Sequence, residues 1–492
     1  MSQDFETLSK GFDALLQNTL SNKHLINPYF RISKGTPEQT KKYFLLNLNI
    51  PRPIILTWNL ILIPFNLLKL IPISILSLVL FKQNAVFKQK VKNTQVLFLS
   101  HGTNGNLLNN EKDTFFDLMP QYISSNKNIK CTVLYKNQNL FSFRKNNKLL
   151  SNKDKELTHI MMPKFLTFPE HLKYVSSIGR FALQALIKSL RCYFEKPDIS
   201  RILICSISWY FSRATYSNFL LLNRMKEAQM NNAIDSIFLT FEGHSFEQLL
   251  IDGLNVSGQK TKIYLYQHSP IVPLHYGVRS FLMQCKPGVT ILTTGIFYKE
   301  YFQTFSSVPI YKVVGTNKSK FLARNQNSRN LNKIIYAPEG TIFATKEFVK
   351  LIKNIIENST ENLHFLRLHP DVKINLHLKI ELIKMRKYEN FFISSSDLDT
   401  DLMNTNYLLY RSSAVGIEAL KYDPLPVFYA DSKLVGLNVL FSNDSSYYKA
   451  ENPSEVITIL KSHRNKLSKT EREVLFSSYF SNINYKILDA AI

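Results

Sequence analysis

Paired cysteines are missing from this 492-residue chain. Cys131, Cys192, Cys205 and Cys285 fall at irregular spacing with no CxxC, which speaks against zinc and dithiol redox sites. Cys131 and Cys205 sit in apolar runs and read as core residues. Nothing calls for an oxidising compartment, so the cytoplasm is the expected location. Zinc-finger spacing, an aromatic RNA-binding signature and a helix-turn-helix pattern are also missing, which argues against nucleic acid as a partner. There is no internal repeat, no low-complexity tract, and neither a GxGxxG nor a Walker motif. The opening residues, Met1-Ser2-Gln3-Asp4-Phe5-Glu6, are acidic and lack the apolar segment of a secretory signal.

Acidic residues are scarce. The chain has 37 Asp and Glu against 61 Lys and Arg, a net charge of +24. That balance favours anionic partners such as anionic lipid or phosphorylated substrates. Hydrophobic residues make up 45% and aromatics 12%, which suits a folded protein, and the length calls for two or three domains.

One apolar stretch, residues 54–81, is long enough to span a bilayer but is broken by Pro64, Lys69 and Pro72. Arg31, Lys34, Lys41, Lys42 and Arg52 precede it, and Lys82, Lys88, Lys90 and Lys92 follow. Kinked apolar helices flanked by cations suit monotopic contact with an anionic membrane surface. A buried helical hairpin and a true span are the alternatives.

After residue 94 strands and helices alternate. Apolar runs at 95–100, 129–135, 201–206, 234–241, 261–266, 290–293 and 311–314 read as strands, with helices at 113–124, 181–194 and 211–230. Residues 317–332 are basic and rich in Asn and Ser, as in a linker. A second unit follows, with strands at 333–337, 363–368, 391–393, 407–410 and 426–429. The expected organisation is a helical, apolar and basic region over 1–94, a Rossmann-like domain over 95–316, a linker over 317–332, a second Rossmann-like domain over 333–465 and a helical tail over 466–492. The fold class is α/β: two doubly wound domains facing a cleft, with an extra apolar N-terminal region.

The polar residues that end these strands are the candidate site, because ligands of open α/β sheets bind at the carboxyl ends. Leu366-Arg367-Leu368-His369-Pro370 puts Arg367 and His369 where Pro370 stops a strand. Tyr410-Arg411-Ser412-Ser413 leads from a strand into a helix over 415–421, so Ser412 and Ser413 could donate to a phosphate. Glu418 on that helix could hold ribose hydroxyls, and Glu339 closes the first strand of the second domain. In the first domain Phe241-Glu242-Gly243-His244-Ser245-Phe246-Glu247 offers Glu242 as a general base, its pKa raised by burial. Glu247 reads as a solvated helix residue. His101, Thr103 and Asn104 form a loop after the first strand, and Gln267 and His268 end another; these five would line the cleft. Asp397, Asp399 and Asp401 read as helix-capping acids rather than metal ligands.

Arg411 to Tyr429 (RSSAVGIEALKYDPLPVFY) resembles the donor-site pattern of GT-B glycosyltransferases. His369-Pro370 followed by Ser412-Ser413 is similar to the pair in bacterial sialyl-, Kdo- and CDP-glycerol-type transferases of surface-carbohydrate synthesis. The FEGH and QHS strings fit the first domain of such enzymes. The resemblance covers residues 95–465. It implies metal-independent transfer from a nucleotide-sugar donor, CMP-linked by the sialyl- and Kdo-type resemblance, to a surface-polysaccharide or lipid-linked glycan acceptor. The nucleotide sugar would be a substrate, with no cofactor and no metal. The work would take place on the inner face of the cytoplasmic membrane. A CDP-polyol phosphotransferase on the same fold, and a non-catalytic nucleotide- or glycan-binding protein of polysaccharide export, are the alternatives. The family's Gly before the Pro-Val strand is replaced here by Tyr422-Asp423-Pro424, and Phe241 stands where many members carry a second acid.

Overall fold

The computed structural model describes residues 82–102, 113–127, 129–137, 157–163, 165–191, 193–195, 213–231, 234–254, 261–272, 275–319, 332–358, 361–369, 374–430, 438–462 and 467–490, with positions 57, 61 and 372 besides. Thr103, Asn104, Pro370, the strand expected at 201–206 and nearly all of the apolar stretch 54–81 lie outside them.

Two wholly parallel sheets organise the chain. Among the described residues the first has seven strands: β1 (Val96–Gly102), β2 (Cys131–Asn137), β3 (Thr158–Met161), β4 (Ser236–Thr240), β5 (Lys262–Tyr266), β6 (Val289–Thr293) and β7 (Ile310–Val313). Their spatial order is β3-β2-β1-β4-β5-β6-β7. The second has six: β8 (Lys333–Ala337), β9 (Leu363–Leu366), β10 (Phe391–Ile393), β11 (Tyr407–Tyr410), β12 (Leu425–Tyr429) and β13 (Tyr448–Ala450), in the order β10-β9-β8-β11-β12-β13. The two doubly wound α/β domains read from the alternation are thus observed.

The strands read as unbroken apolar runs because helices cover both faces of each sheet. Val96, Leu97, Phe98 and Leu99 are all buried, as are all five residues of β12. In both sheets the order reverses beside the first strand, between β1 and β4 and between β8 and β11. Neighbouring strands part company there above their carboxyl ends and leave a crevice.

Several elements differ from the sequence reading. Strands β3 and β13 were not expected; each is only three or four residues long at a sheet edge. The helix expected from residue 113 starts at Met119, because Asp113 and Asp117 pair as an isolated bridge and Asp117 takes a positive φ. The helix expected at 181–194 runs from Phe168 to Arg191. The helix expected over 415–421 is a single α-turn, Val415–Glu418, closed by a 3-10 turn, Ala419–Lys421.

The last segment crosses back to the first sheet. Thr316 N donates to Ser481 O and Asn484 N to Val314 O, each at 2.8 Å. Arg472, on helix Lys469–Tyr479, holds the other side, donating to Tyr422 O at 2.7 Å and to Asp423 Oδ1 at 2.5 Å. The carboxyl ends of the two sheets meet beside this crossing. Phe297, after β6, stacks edge-on to Phe441, after β12, at 5.2 Å, and Lys318, after β7, reaches Glu418, after β11, at 3.9 Å.

Candidate functional site

A carboxylate among imidazoles fills the crevice of the first sheet. Glu242 follows β4, His244 follows it by two residues, His268 follows β5 and His101 is the penultimate residue of β1. Glu242 Oε2 is 2.8 Å from His244 Nε2, Oε1 is 3.2 Å from His268 Nε2, and Oε1 also accepts from Ser269 Oγ at 2.7 Å. Just over a quarter of the Glu242 side chain, 27%, is exposed, so the carboxylate stays within reach of a ligand.

The electrostatics reverse the expectation that Glu242 has a raised pKa. Burial opposes its ionisation, but His268 and His244 outweigh burial by charge and hydrogen bonding and hold the carboxyl well below the usual range. His101 moves down to about 3, first through burial and then through Lys136 and His244, and so it is a neutral imidazole. Its Nε2 lies 3.3 Å from Thr240 Oγ1, across the β1–β4 junction. His275, half-buried and also lowered by desolvation, lies close enough to Glu242 to feel its charge.

The loop carrying Glu242 is fixed from two sides. Glu247, read from sequence as solvated, is fully buried; its Oε1 accepts from Glu242 N at 3.0 Å and its Oε2 from His244 N at 2.9 Å. Gly243 has φ +72 and lies so close to the helix Tyr276–Gln284 that a Cβ would fall 2.2 Å from Val278 N. Only glycine fits there. Gln267, expected to line the cleft, is buried and its amide is in use. Oε1 accepts from Thr294 N and Oγ1 at 3.0 and 3.1 Å, and Nε2 donates to Ser269 O at 2.5 Å. It therefore positions Ser269 against Glu242.

Sequence reasoning passed over Asp113 and Phe115. Asp113 Oδ1 accepts from Phe115 N and Phe116 N at 2.8 and 2.9 Å, and its Oδ2 accepts from Ser100 Oγ at 2.8 Å. The Phe115 ring then sits 5.1 Å from His101 and 4.9 Å from His268, walling the crevice. No local pattern marks this pair, because Asp113 works through a turn.

The crevice of the second sheet gathers a different set. His369, past β9, lies over the end of β8, where a Cβ on Gly340 would fall 2.8 Å from its Nδ1. Glu339, beside Gly340, is buried and accepts from Thr341 Oγ1 at 3.3 Å. Ser412, past β11, has φ +46, the left-handed region that a non-glycine residue rarely occupies. Ser413 is buried, and its Oγ is 3.5 Å from Val415 N. Strands β9, β8 and β11 are neighbours, so His369, Glu339 and the two serines share one edge.

Arg367 and Glu418 are placed differently. Arg367 donates through Nη1 to Asp401 Oδ2 and Ser396 O, each at 2.8 Å, and Lys333 joins the same buried Asp401 at 3.3 Å. Glu418 lies 3.9 Å from Lys318 and 4.0 Å from Lys421, at the interdomain junction. Asp397 caps the helix Leu398–Met403, accepting from Thr400 N at 2.8 Å. Among the described residues no group of three or more acids, histidines or cysteines is arranged to hold a metal ion.

No protein-family model and no curated protein matches the chain. Solved structures are similar to it in layout. A variant of the wall teichoic acid polymerase TagF is 12% identical, over 83% of this chain and 92% of that one, with a TM-score of 0.41. The UDP-GlcNAc 2-epimerase of Methanocaldococcus jannaschii, in complex with UDP-GlcNAc and UDP, is 13% identical over 80% and 99%, at 0.42. An α,α-trehalose-phosphate synthase (UDP-forming) from Burkholderia vietnamiensis is 10% identical over 81% and 94%, at 0.43.

Proposed function

We propose that the chain is a glycosyltransferase of the GT-B type, moving a sugar from a nucleotide-sugar donor to a surface-polysaccharide or lipid-linked glycan without a metal. One observation carries this reading. Each doubly wound sheet places a polar cluster at its own switch point, and the carboxyl ends of the two sheets meet. A donor held by one cluster and an acceptor held by the other would then face each other across the junction.

The clusters divide the chemistry. In the first domain Glu242 is anionic, partly exposed and braced by His244, His268 and Ser269. It takes the proton of the acceptor hydroxyl as that oxygen attacks the sugar and the bond to the nucleotide breaks, and an imidazole on either of its oxygens can take the proton from it. In the second domain His369, Ser412 and Ser413 hold the phosphate of the leaving nucleotide, with the buried Glu339 beside them. Phe115 and Phe246 near His101 keep water from the reacting atoms. The site of work is the inner face of the cytoplasmic membrane, where lipid-linked acceptors are found.

The test is a thermal-shift panel with CMP, CDP, UDP, GDP and ADP, with and without EDTA. A nucleotide at about 100 times its Kd stabilises by roughly 2.7 kcal/mol. A shift with CMP or CDP that survives EDTA and is lost in His369→Ala supports a cytidine-linked donor. A shift with UDP or GDP alone keeps the transferase and changes the donor. No shift with any nucleotide removes the donor site. Phosphorus analysis of the product separates sugar transfer from polyol-phosphate transfer.

A further inference from the structure

The helix Phe168–Arg191 is the longest described, and it is apolar on two faces. Tyr174, Ile178 and Ala182 are buried and pack it on the first domain. On the other side Leu172, Val175, Leu183, Ile187 and Leu190 are exposed, Leu183 at 58% and Leu190 at 55%. Their spacing of three, four, seven and eight residues keeps them on one stripe. Gly179 lies on the same stripe and has nothing within 4 Å of where a Cβ would be. Just past the helix Phe194 is 89% exposed. Scattered exposed leucines are ordinary, but an apolar stripe that recurs over about five turns of one helix is not.

Charge identifies what covers it. Lys173, Arg180 and Arg191 follow one flank of the stripe, and all three are exposed. The only acid in the helix, Glu170, is turned to Arg224, with which it forms an ion pair. The outward surface of the helix therefore carries apolar residues edged by cations and no acid. A protein groove would need polar groups for its rim; a leaflet of anionic lipid offers acyl chains to the leucines and headgroup phosphates to the cations at one depth.

We propose that Phe168–Arg191 is an interfacial helix that docks the first domain on an anionic membrane surface. The inference stands on this helix alone and does not depend on the identity of the donor or acceptor.

The experiment uses the full chain with phosphatidylcholine vesicles, with and without phosphatidylglycerol. The substituted side chains are exposed, so the melting temperatures of the variants should match wild type. Leu172→Ser/Leu183→Ser/Leu190→Ser should weaken vesicle binding by at least about tenfold. Lys173→Gln/Arg180→Gln/Arg191→Gln should remove about a hundredfold of preference for the anionic vesicles. Leu183→Trp should show quenching by brominated acyl chains beyond that of wild type. Unchanged binding of the leucine variant, or no added quenching from Leu183→Trp, assigns membrane contact elsewhere and overturns the proposal. A wild-type dimer by light scattering that the leucine variant converts to monomer, without quenching, assigns the stripe to a second copy and overturns it as well.

Discussion

Replacing Glu242 by Gln isolates the charge of the central carboxylate. Glutamine keeps the length and one oxygen, so Ser269 Oγ can still donate at the 2.7 Å now seen. The same oxygen can still accept from His268, now 3.2 Å from Oε1, whereas His244, now 2.8 Å from Oε2, would face an amide nitrogen that cannot accept. Hydrogen bonds to a charged group contribute about 1.5–3 kcal/mol each. With part of the side chain in solvent the lower end applies, and the loss of the His244 bond together with the charge behind the other two costs about 2–3 kcal/mol. For a chain of 492 residues, with an unfolding entropy of about 1 kcal/mol per degree, that corresponds to a fall in Tm of roughly 2–3 °C. Loss of the base should lower kcat by about 10²- to 10⁴-fold with little change in donor KM. The pH dependence has a definite sign. The folded carboxyl lies well below its ordinary 4.5, so its contribution to stability is fully present above about pH 5 and is lost as pH falls through the folded value. In Glu242→Gln that acid-side loss disappears, and the gap in Tm between the two proteins should narrow below about pH 4. The assays are melting curves from pH 3 to 8 and steady-state transfer once an acceptor is in hand. A variant that keeps more than half of the wild-type kcat would remove Glu242 from the chemistry, and a Tm gap independent of pH would remove its ionisation from the stability.

Two further outcomes separate positioning from binding. His369→Ala should weaken nucleotide binding by about tenfold or more while leaving Tm within about 2 °C, because the ring lies over Gly340 at the rim of a sheet. Arg367→Ala should do the reverse. It strips one of two cations from the buried Asp401, costs about 2–4 kcal/mol by urea titration, and changes nucleotide affinity little at temperatures where the variant is folded. Equal effects of both substitutions on affinity would place Arg367 in the donor site after all. Gly243→Ala puts a Cβ into the backbone of Gly277 and Val278 at φ +72. It should lower stability by about 2–4 kcal/mol and abolish activity by moving Glu242, and a variant with wild-type Tm would show that this loop is not held as described.

The sheets were legible because their strands are buried on both faces. Runs such as Val96–Leu99 and Leu425–Tyr429 carry the signal of a parallel sheet without help from distant residues. The candidate site was legible only where a polar residue ends such a run, as at Glu242, His268, His369 and Ser412. What lies behind those residues was not. Glu247 reads as an ordinary helical acid, yet it is buried because two backbone N–H groups of its own loop need an acceptor. Gln267 sits at a strand end as a ligand residue would, but β6 lies next to β5 and Thr294 claims its oxygen. Arg367 is one residue past a strand and two before His369, and the difference in their roles is set by Asp401, 34 positions away. Each of these depends on which strand lies beside which, and periodicity carries no information about that.

The direction of the Glu242 shift follows from the same limit. Burial alone raises a carboxyl pKa, and a strand-end glutamate seen without neighbours invites that expectation. Its two imidazoles come from different places, His244 from the same loop and His268 from the next strand. The sign is therefore decided by the pairing of β4 with β5, which sets Thr240 against Tyr266 and so carries Glu242 and His268 off adjacent ends. Shifting that register by two residues would draw His268 about 6–7 Å along the strand, out of hydrogen-bonding range, and leave burial to win. The register in turn is held by Ile237, Leu239, Ile263 and Leu265 in the core. Removing the second imidazole directly, as in His268→Ala, leaves that register and its core intact. The acid limb of the stability profile should then move up toward pH 4.5, because Glu242 keeps only His244. An acid limb that stays in place would show that His244 alone holds the charge.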